Sequence, residues 1–322
     1  MNYFLLFLSV FTDTFKNIYY NQFGNKVLKN TRDALMFNAV CGVGAVGFFL
    51  CIGCGFKISA YSLVLALVFA IVTAGAQFFS LMAMSTGSMS FSVLFTYLGM
   101  IIPTVFGMIA YRQTPGILQI IGLALMLVTL YLSSGIKKGE NLNLKWLFFA
   151  LGSFVLWGLV GIIQQIHQNS GKADEINVFL LWSFLFLTAI FAVMTLLSPK
   201  AGCNYRLKSK STLPSLISGV IIGAVNLINL YLSGKISSIV LFPILNGGVI
   251  VLSGLAALFL FKEKLTRSQY AGIILGTLAI AYLEFNEKSL KDKPFPFIRM
   301  YFLMRDWSQP LLWRLRPFLF LR

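Results

Sequence analysis

The sequence predicts an all-α polytopic membrane protein with about ten transmembrane helices. Three observations carry this reading: an apolar composition, a series of long apolar runs with short connections, and an internal repeat that divides the runs five and five. The chain is 58% apolar and 11% charged, with a mean hydropathy of +0.82. A soluble domain carries about a quarter charged residues. A surface this poor in polar groups is hard to keep in water, and lipid is the simplest solvent for it. The net charge of +16 does not mark a nucleic-acid binder. Its basic residues sit in short clusters between apolar runs, as at Lys137-Lys138 and Lys262-Glu263-Lys264. That is the pattern of loops flanking membrane spans, and it lacks the basic stripe with stacking aromatics that nucleic acid requires.

The apolar runs lie near 3–20, 34–55, 60–84, 88–110, 115–135, 145–166, 177–197, 213–233, 237–261 and 267–284. About 20 apolar residues cross the hydrocarbon core as a helix, and strands of a membrane barrel would instead alternate apolar and polar residues. The first run is the weakest, because Asp13 and Lys16 interrupt it. It has no basic leader and no small-residue cleavage site, so it is expected to be a retained span rather than a signal peptide. The second run contains Gly42, Gly44 and Gly47 in GxGxxG spacing and Cys51 and Cys54 in CxxC spacing. No carboxylate follows about 20 residues on, as a dinucleotide site needs, and the CxxC has no second ligand pair. Close helix packing through Gly47, Cys51 and Gly55 is the expected role. Free cysteines here, Cys41 included, act as small hydrophobes.

The fifth and tenth runs carry the repeat. Shifting Phe106–Leu132 by 150 positions puts Arg112 on Lys262, Gln119 on Gln269, Gly122 on Gly272 and Leu125 on Leu275. The halves are therefore 1–136 and 145–285, joined by a loop at 137–144. Residues 286–322 form a basic aromatic tail broken by prolines, either lying in the headgroup layer or a disordered extension. Loops after odd-numbered runs are the more basic, which places them in the cytoplasm and both termini outside, while the basic tail pulls the other way.

The stretch Leu241–Leu283 resembles the closing part of an EamA-like domain of the drug/metabolite transporter superfamily. The resemblance rests on Pro243, Glu263-Lys264-Leu265 and Gln269-x-x-Gly272, with a degraded copy at Pro103, Arg112-Gln113-Thr114 and Gln119-x-x-Gly122. Leu156-Trp157-Gly158 looks like the Trp-Gly of the helix that opens a half, where the first run has Thr12-Asp13-Thr14. The resemblance implies ten helices in two inverted five-helix repeats around a central cavity, working by alternating access on amino acids, other metabolites, nucleotide sugars or drugs.

Polar groups inside a membrane are costly and usually face the bundle interior. Asn226 and Asn229 share a helix face, and Asn246 precedes Gly247-Gly248, where backbone can approach a ligand or another helix. An amide both donates and accepts, which suits a zwitterion, sugar or heterocycle. Gln77, Ser92, Thr96 and Tyr97 are the first-half counterparts. Gln164 and Gln165 end the sixth span at an expected vestibule, and Trp157 either stacks on a ligand or packs. Hydrogen bonding between helices with no ligand is the plain alternative for all of these. Asp13 and Lys16 form an i,i+3 ion pair, either structural or coupled to proton movement, and Glu263 is expected to be a helix-end ion pair. His167 stands alone, with no Ser/His/Asp or metal-ligand set around it, so no enzyme, metal or cofactor is expected.

The expected function is a secondary transporter of a small polar metabolite, an amino acid or related solute, in a bacterial plasma (inner) membrane. A multidrug or organic-cation exporter and a non-transporting membrane scaffold are the alternatives. The expected partners are a small-molecule substrate and the lipid bilayer, with no nucleic acid and with a homodimer left open.

Overall fold

Where the sequence alternates long apolar runs with short polar breaks, the computed structural model has helices. It describes residues 2–27, 30–53, 55–87, 89–134, 143–198, 209–259, 262 and 265–284, apart from the side chains of 19–27, 89–90 and 209–211. The α-helices are α1 (Asn2–Val27), α2 (Thr31–Cys51), α3 (Ala60–Thr86), α4 (Met89–Leu98), α5 (Ile101–Ala110), α6 (Ile117–Ser133), α7 (Leu144–Gln168), α8 (Ile176–Leu197), α9 (Ser209–Ser233), α10 (Ser238–Phe259) and α11 (Arg267–Glu284). No strand occurs among the described residues. The tail at 286–322, Glu263 and Cys54 lie outside the described residues.

Among the described residues, seven segments are long and apolar enough to cross a membrane: Thr31–Cys51, Ala60–Thr86, Phe91–Ala110, Leu144–Gln168, Ala173–Leu197, Thr212–Ser233 and Ser238–Phe259. The outward faces of the bundle carry bare Phe4, Phe15, Ile71, Ile109, Phe148 and Leu196. Apolar side chains exposed on this scale suit a lipid solvent. The molecule has the character of a polytopic integral membrane protein. α6 is apolar but only 17 residues long, and on α1 Asp13 and Lys16 line the interior while Phe4, Phe11 and Phe15 are exposed.

One expected span is broken. The run near 88–110 forms two helices, α4 and α5, that part at Gly99-Met100. Pro103 has no N–H to donate to the Gly99 carbonyl four residues back. The backbone tightens instead, with Gly99 N donating to Thr96 O (3.3 Å), Met100 N to Tyr97 O (3.2 Å) and Ile102 N to Gly99 O (3.2 Å). Pro243 lies inside α10, which stays continuous although the Ile239 carbonyl loses the N–H four residues on. The two prolines therefore play different parts.

The helices pair as α6 on α11, α3 on α7, α1 on α9, α2 on both α8 and α9, α3 on α8, α1 on α10, and α5 on both α7 and α10. Glycine sets the closest of these approaches. Gly44 on α2 meets Leu216 and Gly219 on α9, while Gly42 meets Thr188 on α8. The expected packing stripe at Gly47, Cys51 and Gly55 is corrected here. Gly47 and Gly55 have no neighbour in reach of an added Cβ, and Cys51 is exposed. The stripe is shifted by a fraction of a turn, so that Gly42 and Gly44 carry the contact.

Two large apolar clusters, beside two small ones, result among the described residues. One joins α1, α4, α6, α10 and α11 around Leu6, Met126, Leu130, Ile244 and Leu283. The other joins α2, α3, α7 and α8 around Phe49, Phe69, Phe179, Phe184 and Phe191. A cavity lies where they meet, since its lining draws on both.

Candidate functional site: a polar cavity inside the apolar bundle

The cavity has a volume of about 340 Å³, within the usual range for small-ligand sites. Its lining follows helical periodicity on every wall: Ser9, Asp13, Lys16 and Asn17 on α1; Phe69, Thr73 and Gln77 on α3; Trp157, Val160, Gly161 and Gln164 on α7; Phe184, Leu187 and Phe191 on α8; Ile222, Val225, Asn226 and Asn229 on α9; Phe242, Leu245 and Asn246 on α10. Steps of three and four residues keep each set on one face. Thr96 and Tyr97, with the broken backbone at Gly99 and Met100, complete the enclosure. Irregular backbone at membrane depth is tolerated where it lines a cavity.

The residues singled out in the sequence converge here. Asn226, Asn229, Asn246, Gln77, Thr96, Tyr97, Trp157, Gln164, Asp13 and Lys16 all line this one cavity. Their states differ. Asn226 Nδ2 donates to Ile222 O (2.9 Å) and Asn246 Nδ2 to Phe242 O (3.0 Å), so each commits one of its two amide hydrogens to its own helix. The amide oxygens are left as acceptors. Asn229 accepts from the Ser9 hydroxyl. The Gln77 and Gln164 side chains have no hydrogen-bond partner among the described residues. Thr96 is held on three sides: it donates to Ser92 O (3.0 Å) and shares hydrogens with Ser80 (3.3 Å) and Ser153 (3.1 Å). Trp157 donates its indole N–H to Ser80 Oγ (3.0 Å), which fixes its ring against the cavity. Asp13 and Lys16 are paired with each other.

Two expectations are corrected. Gln165 does not reach a vestibule. It is buried, donates to Pro103 O (2.8 Å) and accepts from Ser238 Oγ (2.6 Å), tying α7 to α5 and α10. Gln113 strengthens the same tie by accepting from Ser237 Oγ (3.0 Å) and Ser238 N (2.9 Å). Ser92 is also absent from the lining, because its hydroxyl accepts from the Trp146 indole (2.9 Å) in a buried contact. Gly247 and Gly248 serve packing, against Met126 and Val10. His167 is fully buried against Phe179, with ring centroids 4.1 Å apart.

Sequence reasoning missed Ser9, Asn17, Asn38 and Thr73, and the rings of Phe69, Phe184, Phe191 and Phe242. Several were within reach. Ser9 and Asn17 lie one turn either side of Asp13, and Thr73 lies one turn before Gln77. Thr73 is distinctive: its hydroxyl is buried without a hydrogen-bond partner. Thr104, Thr129, Thr188 and Thr195 all donate to the carbonyl four residues back.

No family model matches the chain. An uncharacterized protein of Haemophilus influenzae is 23% identical over 199 residues, which is 59% of this chain and 65% of the relative's length. The matched region thus reaches just under two thirds of that relative. A solved structure, described only as the crystal structure of a protein, superposes with a TM-score of 0.71 at 12% identity, covering 90% of this chain and 98% of the other. That likeness establishes a shared fold.

Proposed function

We propose that this chain is a secondary transporter of a small polar metabolite, built as an EamA-like carrier of the drug/metabolite transporter superfamily and resident in a bacterial plasma membrane. In this reading α4 and α5 together make one crossing, so residues 1–136 and 145–285 each contribute five. An odd number of crossings makes the second half enter the membrane from the opposite side.

The helix pairing supports the inverted repeat. Advancing each crossing by five turns α3 on α7 into α9 on α1, α2 on α9 into α8 on α3, and α1 on α10 into α7 on α5. The pairs α2 with α8, α5 with α10 and α6 with α11 map onto themselves. Local geometry repeats as well. Arg112 (φ 50°) and Lys262 (φ 53°), 150 positions apart, both take the left-handed backbone that few non-glycine residues adopt. Gln119 accepts from Gly116 N (3.1 Å) and Gln269 from Thr266 N (2.9 Å), closing the first turns of α6 and α11 alike. Gly122 packs on Leu283 and Gly272 on Ser133, which are the same contact seen from each side.

The single observation that carries the function is the cavity: unsatisfied polar groups from both halves gathered in the middle of an apolar bundle. Structural polar residues in membranes find partners among themselves, and those of this cavity leave acceptors and a hydroxyl unused. The tie at Gln165, Ser238 and Gln113 joins α7 to α5 and α10 at Pro103, a residue of the lining. Release of that tie, with rocking of the two halves, would expose the cavity to the opposite side. The Asp13–Lys16 pair weighs against an organic-cation exporter, because Lys16 neutralises the carboxylate such a substrate would seek.

The test is a thermal-shift screen of the purified protein against amino acids, nucleosides, sugars and organic cations. One class should raise the melting temperature, and Asn226→Ala should remove the shift. A screen with no responding class, or a shift that survives the substitution, would count against the proposal.

A further inference from the structure

We propose that the cavity selects a zwitterion with an apolar body, by exchange of partners with the Asp13–Lys16 ion pair. The inference rests on the cavity being the substrate site. Among its described lining residues Asp13 and Lys16 are the only charged side chains. They lie one turn apart on α1 and satisfy each other, so the empty cavity is electrically neutral. Their neighbours in the lining, Asn17, Asn38 and Gln77, are neutral amides that carry no charge to replace either one.

A ligand with a single charge binds this pair poorly. A cation drawn to Asp13 displaces Lys16 and leaves an ammonium unpaired in a low dielectric, and an anion drawn to Lys16 strands the carboxylate. The pair is partly buried, and leaving one member of such a pair uncompensated is costly. A ligand whose ammonium and carboxylate sit on one carbon avoids this. Its ammonium meets Asp13, its carboxylate meets Lys16, and one ion contact becomes two with no change in net charge.

The remaining polar groups suit the same ligand. The amide oxygens of Asn226 and Asn246 are open acceptors, since each side chain bonds its own helix through Nδ2, and an ammonium has hydrogens left over for them. The Thr73 hydroxyl, 7% exposed and without a partner, is a donor for the carboxylate. Beside these polar groups the wall carries a set of aromatic rings: Phe69, Phe184, Phe191, Phe242 and the fixed ring of Trp157. Such rings take an apolar side chain.

The experiment measures binding by calorimetry on the detergent-purified full chain. The probes are leucine and phenylalanine, their amine analogues isoamylamine and phenethylamine, and their carboxylate analogues 4-methylpentanoate and 3-phenylpropanoate. At least one zwitterion should bind, with both its singly charged analogues about tenfold or more weaker. Asp13→Asn should move the ratio towards the carboxylate analogue, and Lys16→Gln towards the amine. The exchanged pair, Asp13→Lys with Lys16→Asp, should restore the preference for the zwitterion and shows whether the single variants merely misfold. A wild-type protein that binds a singly charged analogue as well as the zwitterion, or that binds no probe, would overturn the proposal. So would ratios that both single variants leave unchanged. The carrier reading fails separately, if a cysteine at position 246 cannot be labelled from both sides of the membrane.

Discussion

Under the proposed repeat, the seam between α6 and α11 and the walls formed by α1 and α7 stand at equivalent places with opposite results. At the seam the two halves present the same chemistry: a capping glutamine at Gln119 and Gln269, and a glycine at Gly122 and Gly272 set against the facing helix. At the cavity they diverge. A shift of 144 positions carries Asp13, Lys16 and Asn17 onto Trp157, Val160 and Gly161, and all six line the same space. One wall is ionic and the other aromatic and small. Where two helices fill each other's grooves, sterics restrict the residue to the one that fits. Where an open volume separates them, nothing in the packing fixes the side chain, and chemistry is free to differ.

That contrast breaks most sharply if the seam is not symmetric. Gly122→Ile and Gly272→Ile should each destabilise by roughly 3 kcal/mol through overpacking, with similar losses of melting temperature in detergent. A large effect at one glycine and none at the other would remove the equivalence. A smaller effect is expected at the caps. Gln119→Ala and Gln269→Ala should each cost about 1 kcal/mol, the usual value of a lost helix-terminal hydrogen bond, again as a matched pair. The smallest is a control within α2. Gly47→Ala, with no neighbour in reach, should stay within about 0.5 kcal/mol, whereas Gly44→Ala must push against Leu216 and Gly219 and should lose clearly more. Equal melting temperatures for the two α2 variants would mean that helix contact is not what these glycines provide.

Much of this fold could be read from the chain, because membrane helices announce themselves by length and apolarity alone. Ten runs were visible, and the eleven α-helices among the described residues follow their order, with α4 and α5 sharing one run. The polar residues of the cavity were legible for the same reason, since an amide or a charge stands out in an apolar run. The break at Gly99-Met100 was not, because hydropathy is blind to the hydrogen bond that Pro103 cannot make. The glycine stripe was misplaced by a fraction of a turn, since several small residues share α2 and only the position of α9 decides which one is used. Gln165 and Gln164 are adjacent and chemically identical, yet one ties α5 to α10 and the other faces the cavity. Such a distinction depends on neighbours far away in sequence.

The most direct measurement is two-sided labelling of Asn246→Cys, in a background with the native cysteines replaced, using a membrane-impermeant maleimide on sealed vesicles of both orientations. The account predicts reaction from either side, with labelling from one side slowed by a ligand that the thermal screen identifies. Reaction from neither side, or from one side alone under every condition, would contradict a central cavity with alternating access.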